Sequence, residues 1–351
     1  MKILYGVQAT GNGHITRARI MAKALAAENI NVDWVFSGRE PDAFFDMEIF
    51  GHYRLFRGLT FVTRHGKVDY PRTLLKSDLL QLRRDINTLD VSGYDLIISD
   101  FEPVSAWAAK KAGKTSLGIS HQSAFLHPVP TQGANLFTRG FMRFFAPVSQ
   151  PIGLHWHHFQ QAILPPMVEN TGHACLINQG EILVYLPFAS LEDFLPALRP
   201  INTCQFHVFH GDRYTGNLPA HIHLHPLSRD HFQQALHQCE GVICSAGFEL
   251  PSEALHLGKK LLVQPVGGQM EQQSNALALQ ELGYAQVAQT LNAVCIRDWL
   301  ATPQPDAKHF PDVAAALASW IKQADRIPLA SLANTLWNAQ KVTHNTQATR
   351  E

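Results

Sequence analysis

Short apolar segments alternate with helical patterns in both halves of this 351-residue chain, and that alternation restricts its fold more than any other feature. Strands that alternate with helices are typical of βαβ units, whose strands form parallel sheets. We therefore predict an α/β protein with two Rossmann-like, doubly wound domains. Strands are predicted at residues 2–7, 31–36, 95–99, 115–119, 182–186, 205–209, 241–244 and 260–264. Helices are predicted at residues 15–27, 104–112, 250–257 and 270–282.

The alternation fails between Pro128 and Pro166, a stretch rich in proline and aromatic residues, and we place the connection between the domains there. The predicted N-terminal domain covers residues 1–165 and the C-terminal domain covers residues 166–310. Residues 311–351 are expected to form C-terminal helices, with patterns at 312–321 and 329–337, and a frayed polar tail.

Composition excludes several classes of protein. Lysine plus arginine equals aspartate plus glutamate at 29 each, which argues against a protein that binds nucleic acid through bulk charge. The five cysteines contain no C-x-x-C pair, so we interpret them as reduced, buried thiols rather than disulfides or zinc ligands. No apolar segment approaches the length of a signal peptide core or a membrane span, and we expect a cytoplasmic protein.

A glycine loop, Ala-Thr-Gly-Asn-Gly-His at residues 9–14, joins the first predicted strand to the first helix. Gly11 and Gly13 permit a tight turn, and the amide groups of the helix start would face a ligand in the crevice. A dinucleotide fingerprint needs a third glycine and an acidic residue after the second strand, and both are missing. His14 is the candidate general base, because imidazole titrates near neutral pH. The alternative is a histidine that only caps or packs the turn.

Asp100 follows the predicted strand at residues 95–99, at the edge where open α/β sheets bind ligands. A carboxylate behind an imidazole fixes its tautomer and stabilises the imidazolium, as in hydrolase triads. We therefore predict that His14 and Asp100 form a catalytic pair. The alternative is that Asp100 caps the helix that begins near Val104.

The strongest signal in the second half is a strand, a turn of small residues and a helix at residues 241–254, followed by Glu-Gln-Gln-Ser-Asn-Ala at 271–276. The turn would hold a phosphate group through backbone amides. Glu253 lies inside the helix, where its carboxylate could accept hydrogen bonds from both hydroxyls of a ribose. The alternative is an ordinary βαβ unit with a serine-capped helix.

This stretch resembles the UDP-glycosyltransferase superfamily, and in particular the transferase that adds N-acetylglucosamine to a lipid-linked muropeptide. The resemblance is close over residues 208–284. It implies a GT-B architecture with a central cleft, a diphosphate at Ser245 and Gly247, a ribose at Glu253 and a donor sugar at Glu271 and Gln272. The nucleobase would lie near the loop at residues 225–227. The full candidate set for binding substrates is Gly11, Gly13, Leu227, Ser245, Gly247, Phe248, Glu253, Gln269, Glu271 and Gln272.

The chain departs from the family pattern at several positions. Ser245 stands where many members have histidine, Phe248 and Glu249 replace a tryptophan-asparagine pair, and Lys259 with Lys260 replaces a small residue and proline. The identity of the nucleobase therefore comes from the resemblance alone.

The resemblance implies a glycosyltransferase that moves a sugar from a UDP-sugar to an acceptor hydroxyl with inversion, and without a metal or a cofactor. The nucleotide sugar is then a co-substrate, and the acceptor is a lipid-linked molecule or a glycan. Two alternatives stay open: a nucleotide-sugar epimerase on the same fold, and a regulator that binds a nucleotide sugar without catalysis.

Two histidine-rich segments, at residues 155–158 and 221–225, have the spacing of metal ligands, but no acidic residue or cysteine accompanies them. We expect partly exposed histidines there.

An amphipathic helix is predicted around Phe137, Phe141, Phe144 and Phe145, within a stretch from 103 to 168 that lacks acidic residues. Arg139 and Arg143 lie on its other face. The aromatic stripe would either dock on an anionic membrane or pack on the core.

Overall fold

The structure is a computed structural model that describes residues 1–59, 63–64, 67–68, 78–169 and 175–348, with only the backbone of residues 63–64, 67–68, 137 and 341–348. Two parallel six-stranded sheets dominate it. The first contains β1 (Lys2–Gln8), β2 (Asn31–Ser37), β3 (Tyr53–Phe56), β6 (Leu96–Asp100), β7 (Ser116–Ser120) and β8 (Gln150–Gly153). A short antiparallel pair, β4 (Thr63–Arg64) and β5 (Lys67–Val68), stands apart from it. The second contains β9 (Asn178–Tyr185), β10 (Gln205–Phe209), β11 (Ile222–His225), β12 (Cys239–Ser245), β13 (Lys260–Gln264) and β14 (Gln286–Val287).

Helices connect the strands of both sheets. The first unit contains α1 (Asn12–Ala27), α2 (Leu79–Thr88), α3 (Pro103–Lys111) and α4 (Leu136–Phe144). The second contains α5 (Leu191–Leu198), α6 (Arg229–Gln238), α7 (Glu249–His256), α8 (Met270–Glu281) and α9 (Ala293–Leu300). The C-terminal helices are α10 (Val313–Lys322) and α11 (Leu329–Ala348). The α/β prediction with two doubly wound units is confirmed, and the segments predicted at 205–209 and 260–264 coincide with β10 and β13.

Strand order repeats in the two sheets, as β3-β2-β1-β6-β7-β8 and β11-β10-β9-β12-β13-β14. In each sheet the order along the chain reverses between two central strands, β1 and β6 in the first and β9 and β12 in the second. Open α/β sheets bind ligands at the carboxyl ends of the strands at such a switch point. His14 follows β1 and Asp100 ends β6, so the topology brings both candidate catalytic residues to this edge.

The region that the sequence assigned to the domain connection contains part of the first unit. Both α4 and the edge strand β8 lie between Pro128 and Pro166. Pro151 weakened the strand signal, because proline cannot donate a hydrogen bond within a sheet. At the edge of the sheet β8 has one neighbour, β7, so the missing donor is tolerated there.

The last two helices return to the first unit. Helix α10 packs against α1, and Lys322 forms an ion pair with Glu28 at 3.0 Å. In α11, Trp337 donates a hydrogen bond from Nε1 to the carbonyl oxygen of Ile163 at 2.7 Å. The chain therefore crosses between the units twice, after the first sheet and again after the second.

The predicted aromatic stripe on α4 is divided by the structure. Phe141 and Phe145 pack against Phe101, with ring centroids 6.2 and 4.8 Å away. Phe144 is 57% exposed, and Leu136 at the start of the helix is 91% exposed. The side chain of Phe137 lies outside the described residues. Core packing thus accounts for part of the stripe, and a smaller apolar face remains on the surface.

Within the described residues, none of the helices has the length and hydropathy required to span a lipid bilayer.

Candidate functional site

A cavity of about 480 Å³ separates the carboxyl edges of the two sheets. Both units contribute to its wall, and every residue in the candidate set from the sequence lines it. From the first unit the wall includes Gly11, Gly13, His14, Arg17, Phe101, Gln122 and Phe145. From the second it includes Leu227, Ser245, Gly247, Phe248, Glu249, Glu253, Gln269, Glu271 and Gln272. Asp100 lies behind this wall and is fully buried.

His14 and Asp100 are in direct contact, as the sequence predicted. His14 Nδ1 lies 2.8 Å from Asp100 Oδ1, and the side chain of His14 is 16% exposed to the cavity. The helix-cap alternative for Asp100 is wrong, because Glu102 caps α3 by accepting hydrogen bonds from the amides of Val104 and Ser105. Asp100 instead contacts the side chains of His14 and Arg17.

The contacts of His14 determine which of its nitrogens faces the cavity. Nδ1 lies 2.8 Å from Asp100 Oδ1 and 2.9 Å from Arg17 Nη2. Because an ionised carboxylate can only accept hydrogen bonds, we assign the proton of the neutral imidazole to Nδ1, where it points at Asp100. Nε2 then carries a lone pair and faces Gln122, whose Nε2 is 3.5 Å away. Burial by itself would raise the pKa of Asp100, but Arg17 and His14 outweigh it and hold that pKa below its usual value. The carboxylate is therefore ionised at neutral pH.

Arg17 is a site residue that the sequence analysis did not identify. Its Nε donates to Asp100 Oδ2 at 2.8 Å, and its Nη2 donates to Asp100 Oδ1 at 2.5 Å. Its Nη1 donates to Glu249 of the second unit, so one buried guanidinium joins both sides of the cavity. The signal in the sequence was its spacing of three residues from His14, which places both on one face of α1.

Glu249 lies against the glycine loop of the opposite unit. A Cβ atom at Gly13 would lie 3.0 Å from Glu249 Cγ, so a larger residue there would need Glu249 to shift by a few tenths of an ångström. Glu249 Oε2 is buried and has no hydrogen-bond partner among the described residues. This carboxylate replaces the asparagine of the family pattern, and the structure uses it to bind Arg17.

A second contact across the cavity is made by His121, at the end of β7. Its Nε2 lies 2.7 Å from Asn275 Oδ1, and its ring stacks on Phe248 with centroids 4.0 Å apart. Burial lowers the pKa of His121, so the imidazole is neutral at physiological pH. Phe248 is buried, and the stacked pair forms part of the cavity wall.

The turn after β12 has the form that the sequence predicted, with one difference. Ser245 and Gly247 face the cavity immediately before α7. The amide of Gly247, however, donates to the carbonyl oxygen of Ser245 at 2.8 Å. The amides of Glu249 and Leu250, at the start of α7, have no partner within the helix and point toward its N-terminal end. Pro251 has no amide hydrogen, and the amide of Ser252 donates to the carbonyl oxygen of Phe248. An anion would therefore be bound by the start of α7 rather than by the amide of Gly247.

Glu253 is buried in α7 at the wall of the cavity. Its Oε2 accepts a hydrogen bond from Gln233 Nε2 at 2.9 Å. Burial raises the pKa of Glu253 to about 7, and the bond from Gln233 opposes that shift only in part. The carboxyl group thus changes its charge within the physiological pH range.

The remaining donor-side candidates lie around the start of α8. Glu271 accepts hydrogen bonds from Gln122 Nε2 on both of its oxygens, each at 3.0 Å. The Oε1 of Gln272 accepts a hydrogen bond from the amide of Val266 at 3.0 Å, which fixes that side chain. Gln269 forms the N-cap of α8, and Leu227, 46% exposed, lies at the rim of the cavity after β11.

The histidine-rich segments differ in exposure. His155 is fully buried and packs beside His121, with ring centroids 5.3 Å apart, so the expectation of partly exposed histidines is wrong for it. The histidines at residues 221, 223 and 225 are half-buried or exposed, as expected. His207 on β10 stacks between His223 and His225 on β11, with centroids 5.2 and 5.3 Å away, and it contacts Glu181 at 2.6 Å. Among the described residues, no three histidine, cysteine, aspartate or glutamate side chains are grouped so that they could hold a metal ion.

Comparisons with known proteins agree with this geometry. A family model described as glycosyl transferase family 1 matches residues 1–303. No curated protein shows significant sequence similarity. Similar solved structures include the glycosyltransferase SnogD from Streptomyces nogalater, with 16% identity, a TM-score of 0.55, and coverage of 97% of this chain and 99% of that one.

Two further structures carry ligands. LpCGTa in complex with UDP has 14% identity and a TM-score of 0.60, covering 97% of this chain and 99% of that one. The spinosyn rhamnosyltransferase SpnG with spinosyn aglycone has 14% identity and a TM-score of 0.58, covering 96% and 97%. At such identities these likenesses show the fold alone. The two facing sheets have the GT-B architecture.

The buried guanidinium yields a stability prediction. We expect Arg17→Met to lower the free energy of unfolding by about 3–5 kcal/mol, because Asp100 and Glu249 would lose their buried cation. Urea unfolding followed by circular dichroism measures the change. Lys23→Met is the control, since Lys23 is 57% exposed in its ion pair with Glu169 and should contribute about 0–1 kcal/mol. Equal losses in the two variants would contradict the role assigned to Arg17.

Proposed function

Because the chain belongs to glycosyl transferase family 1, it is a glycosyltransferase, and we propose that it transfers a sugar from a UDP-sugar to an acceptor hydroxyl with inversion and without a metal ion. The observation that supports this most directly is the His14–Asp100 pair, which faces the turn after β12 across a single cavity. A base on one wall and an anion-binding helix start on the other are the parts that such a transfer needs.

The chemical step follows from the positions of these groups. His14 Nε2 removes the proton from the acceptor hydroxyl, and Asp100 stabilises the imidazolium that forms. The acceptor oxygen forms a bond to the anomeric carbon while the bond from that carbon to the diphosphate oxygen breaks. The diphosphate leaves with the electron pair. The nucleophile attacks from one wall of the cavity and the diphosphate departs toward the opposite wall, so the configuration at the anomeric carbon is inverted.

The negative charge that develops on the diphosphate would be stabilised by the start of α7. Unpaired amides of the first helical turn and the helix dipole both favour an anion at this place. Such fixed dipoles in a buried site need no reorganisation during the reaction. Hydrogen-bond donors and the dipole of the helix start would thus stabilise the leaving charge in place of a metal ion.

Donor identity rests on the sequence resemblance together with the geometry. Glu253 would bind the two ribose hydroxyls, and the base would lie near Leu227 at the rim. UDP is also the nucleotide bound in LpCGTa, a protein of similar fold. Glu271 binds Gln122, whose amide nitrogen lies 3.5 Å from His14 Nε2, and we assign Glu271 to hydroxyl groups of the sugar.

The acceptor would occupy the side of the cavity formed by the first unit. Phe101 and Phe145 line it next to Asp100, so the acceptor would present an apolar surface beside its hydroxyl group. A lipid-linked acceptor has such an apolar surface, and the resemblance to the muropeptide transferase supports the same class of acceptor. The exposed side chains of Leu136 and Phe144 would then contact the cytoplasmic face of a membrane peripherally.

His14→Ala should reduce transfer by a factor on the order of 100 or more, because the variant lacks a general base. Nucleotide affinity should change little, since His14 contacts the acceptor rather than the donor. Hydrolysis of the donor in the absence of acceptor, followed with a panel of nucleotide sugars, provides the first assay. Asp100→Asn should bind the donor but slow the chemical step, because an amide does not stabilise an imidazolium. Wild-type turnover in either variant would refute the catalytic pair.

The raised pKa of Glu253 makes donor affinity depend on pH. Ribose hydroxyls donate to the ionised carboxylate, so binding must remove the proton that Glu253 holds below its pKa of about 7. Affinity for UDP-glucose should therefore be constant above that pH and weaken below it, by up to about tenfold per pH unit. UDP-glucose has no phosphate group that titrates in this range, which makes calorimetry with it unambiguous.

Glu253→Gln is the matched control for this experiment. Its affinity should lose the pH dependence and should be weaker above pH 8 by about 1.5–3 kcal/mol, the contribution of hydrogen bonds to a charged group. A pH profile identical to that of the wild type would show that Glu253 does not contact the ribose.

Membrane contact can be tested on the exposed face of α4. Leu136→Ser with Phe144→Ser should reduce sedimentation with vesicles that contain phosphatidylglycerol, while UDP binding stays unchanged. Phe141→Ser is a poor probe, because Phe141 packs on Phe101 and Phe145. A wild-type protein that never sediments with the vesicles would contradict the peripheral contact.

A further inference from the structure

Gln122 is one of the residues by which the first unit lines the cavity. It begins a 3₁₀ turn, Gln122–Leu126, directly after β7 at the carboxyl edge of the first sheet. The preceding residue, His121, is held by Asn275 and by its stacking on Phe248. Gln122 is only 4% exposed, so its side chain has little freedom to move.

The amide nitrogen of Gln122 contacts residues of both units. It donates to both oxygens of Glu271 at 3.0 Å, and it lies 3.5 Å from His14 Nε2. The residue therefore stands between the base that accepts the proton of the acceptor and the carboxylate assigned to the donor sugar.

The amide oxygen of Gln122 is buried and has no hydrogen-bond partner among the described residues. Its orientation is determined by Glu271, since the reverse orientation would place an oxygen against a carboxylate. A buried amide oxygen without a donor is costly, so a ligand that brings a hydroxyl group to it gains affinity. Gln122 is among the residues that line the cavity, so a hydroxyl group bound beside its amide would supply the missing donor.

We propose that Gln122 Oε1 accepts a hydrogen bond from a hydroxyl group of the donor sugar, so that the sugar is bound from both units at once. The hydroxyl of the acceptor is a poor candidate for this contact, because its hydrogen points at His14 Nε2. Glu271 binds the sugar from the second unit and Gln122 binds it from the first. The inference rests on the proposed function and narrows its substrate class to donor sugars with a free hydroxyl at the contacted carbon.

Calorimetry with UDP, UDP-glucose and the 2-, 3-, 4- and 6-deoxy derivatives of UDP-glucose tests the proposal. The wild type should bind one of the deoxy derivatives at the Gln122 position roughly tenfold or more weakly than UDP-glucose. Gln122→Met keeps the size of the side chain and removes its hydrogen bonds, and in this variant the penalty at that one position should disappear. Affinity for UDP should stay within about twofold in both proteins, since the amide does not contact the nucleotide.

Gln205→Met, on β10 outside the cavity, is the matched control and should leave every affinity unchanged. Gln122→Asn is a second variant that keeps an amide one methylene shorter, and it should show the same loss of discrimination. Uniform weakening of all the UDP-sugars in Gln122→Met would overturn the proposal, because Gln122 would then act only by holding Glu271. So would a wild type that binds all four deoxy derivatives as tightly as UDP-glucose. A wild type that binds neither UDP nor UDP-glucose would instead refute the proposed donor.

Discussion

The site depends on one buried guanidinium. Arg17 binds both oxygens of Asp100 and also binds Glu249, which belongs to the other unit. A buried ion pair is stabilising only if its hydrogen bonds are nearly complete, because desolvation of the charges costs several kcal/mol. The arrangement therefore restricts the distance between the two units to a narrow range. The positions of the His14–Asp100 pair and of the start of α7, on opposite walls of the cavity, both depend on that restriction.

Several neutral contacts reinforce the same spacing. His121 bridges to Asn275, Asn12 contacts the hydroxyl of Tyr185 at 3.3 Å, and Trp156 donates to Ser252 at 2.8 Å. Each such bond contributes on the order of 1 kcal/mol. Together these neutral hydrogen bonds help to fix the relative positions of the two cavity walls. A pre-organised cavity of this kind reduces the entropy lost when two substrates are brought together.

Local environment, more than residue type, determines how the acids of the site behave. Asp100 stays ionised although it is fully buried, because Arg17 and His14 stabilise its charge. Glu253 is also buried, but Gln233 is a neutral partner, and burial raises its pKa to about 7. The two carboxyl groups thus differ in their ionisation: that of Asp100 is held in its charged form, and that of Glu253 has a pKa near neutrality.

The sequence by itself determined the fold class, the glycine loop with His14, and the strand that ends at Asp100. These features depend on local periodicity and on turn residues, which are encoded within a few neighbouring positions. The resemblance at residues 208–284 predicted the family and the residues of the proposed donor side. Even the pairing of His14 with Asp100 could be predicted, because parallel sheets bring the carboxyl ends of adjacent strands together.

Only the tertiary structure decided which other side chains share the cavity. Arg17 is one of many arginines in the sequence, and nothing local shows that it binds Asp100, 83 residues away, or Glu249, 232 residues away. Gln122 meets Glu271 across 149 residues for the same reason. The strand β8 and the return of α10 to α1 likewise depend on neighbours that are distant in sequence. The periodicity of a segment predicts which of its faces is buried, but the residues that pack against that face depend on the fold of the whole chain.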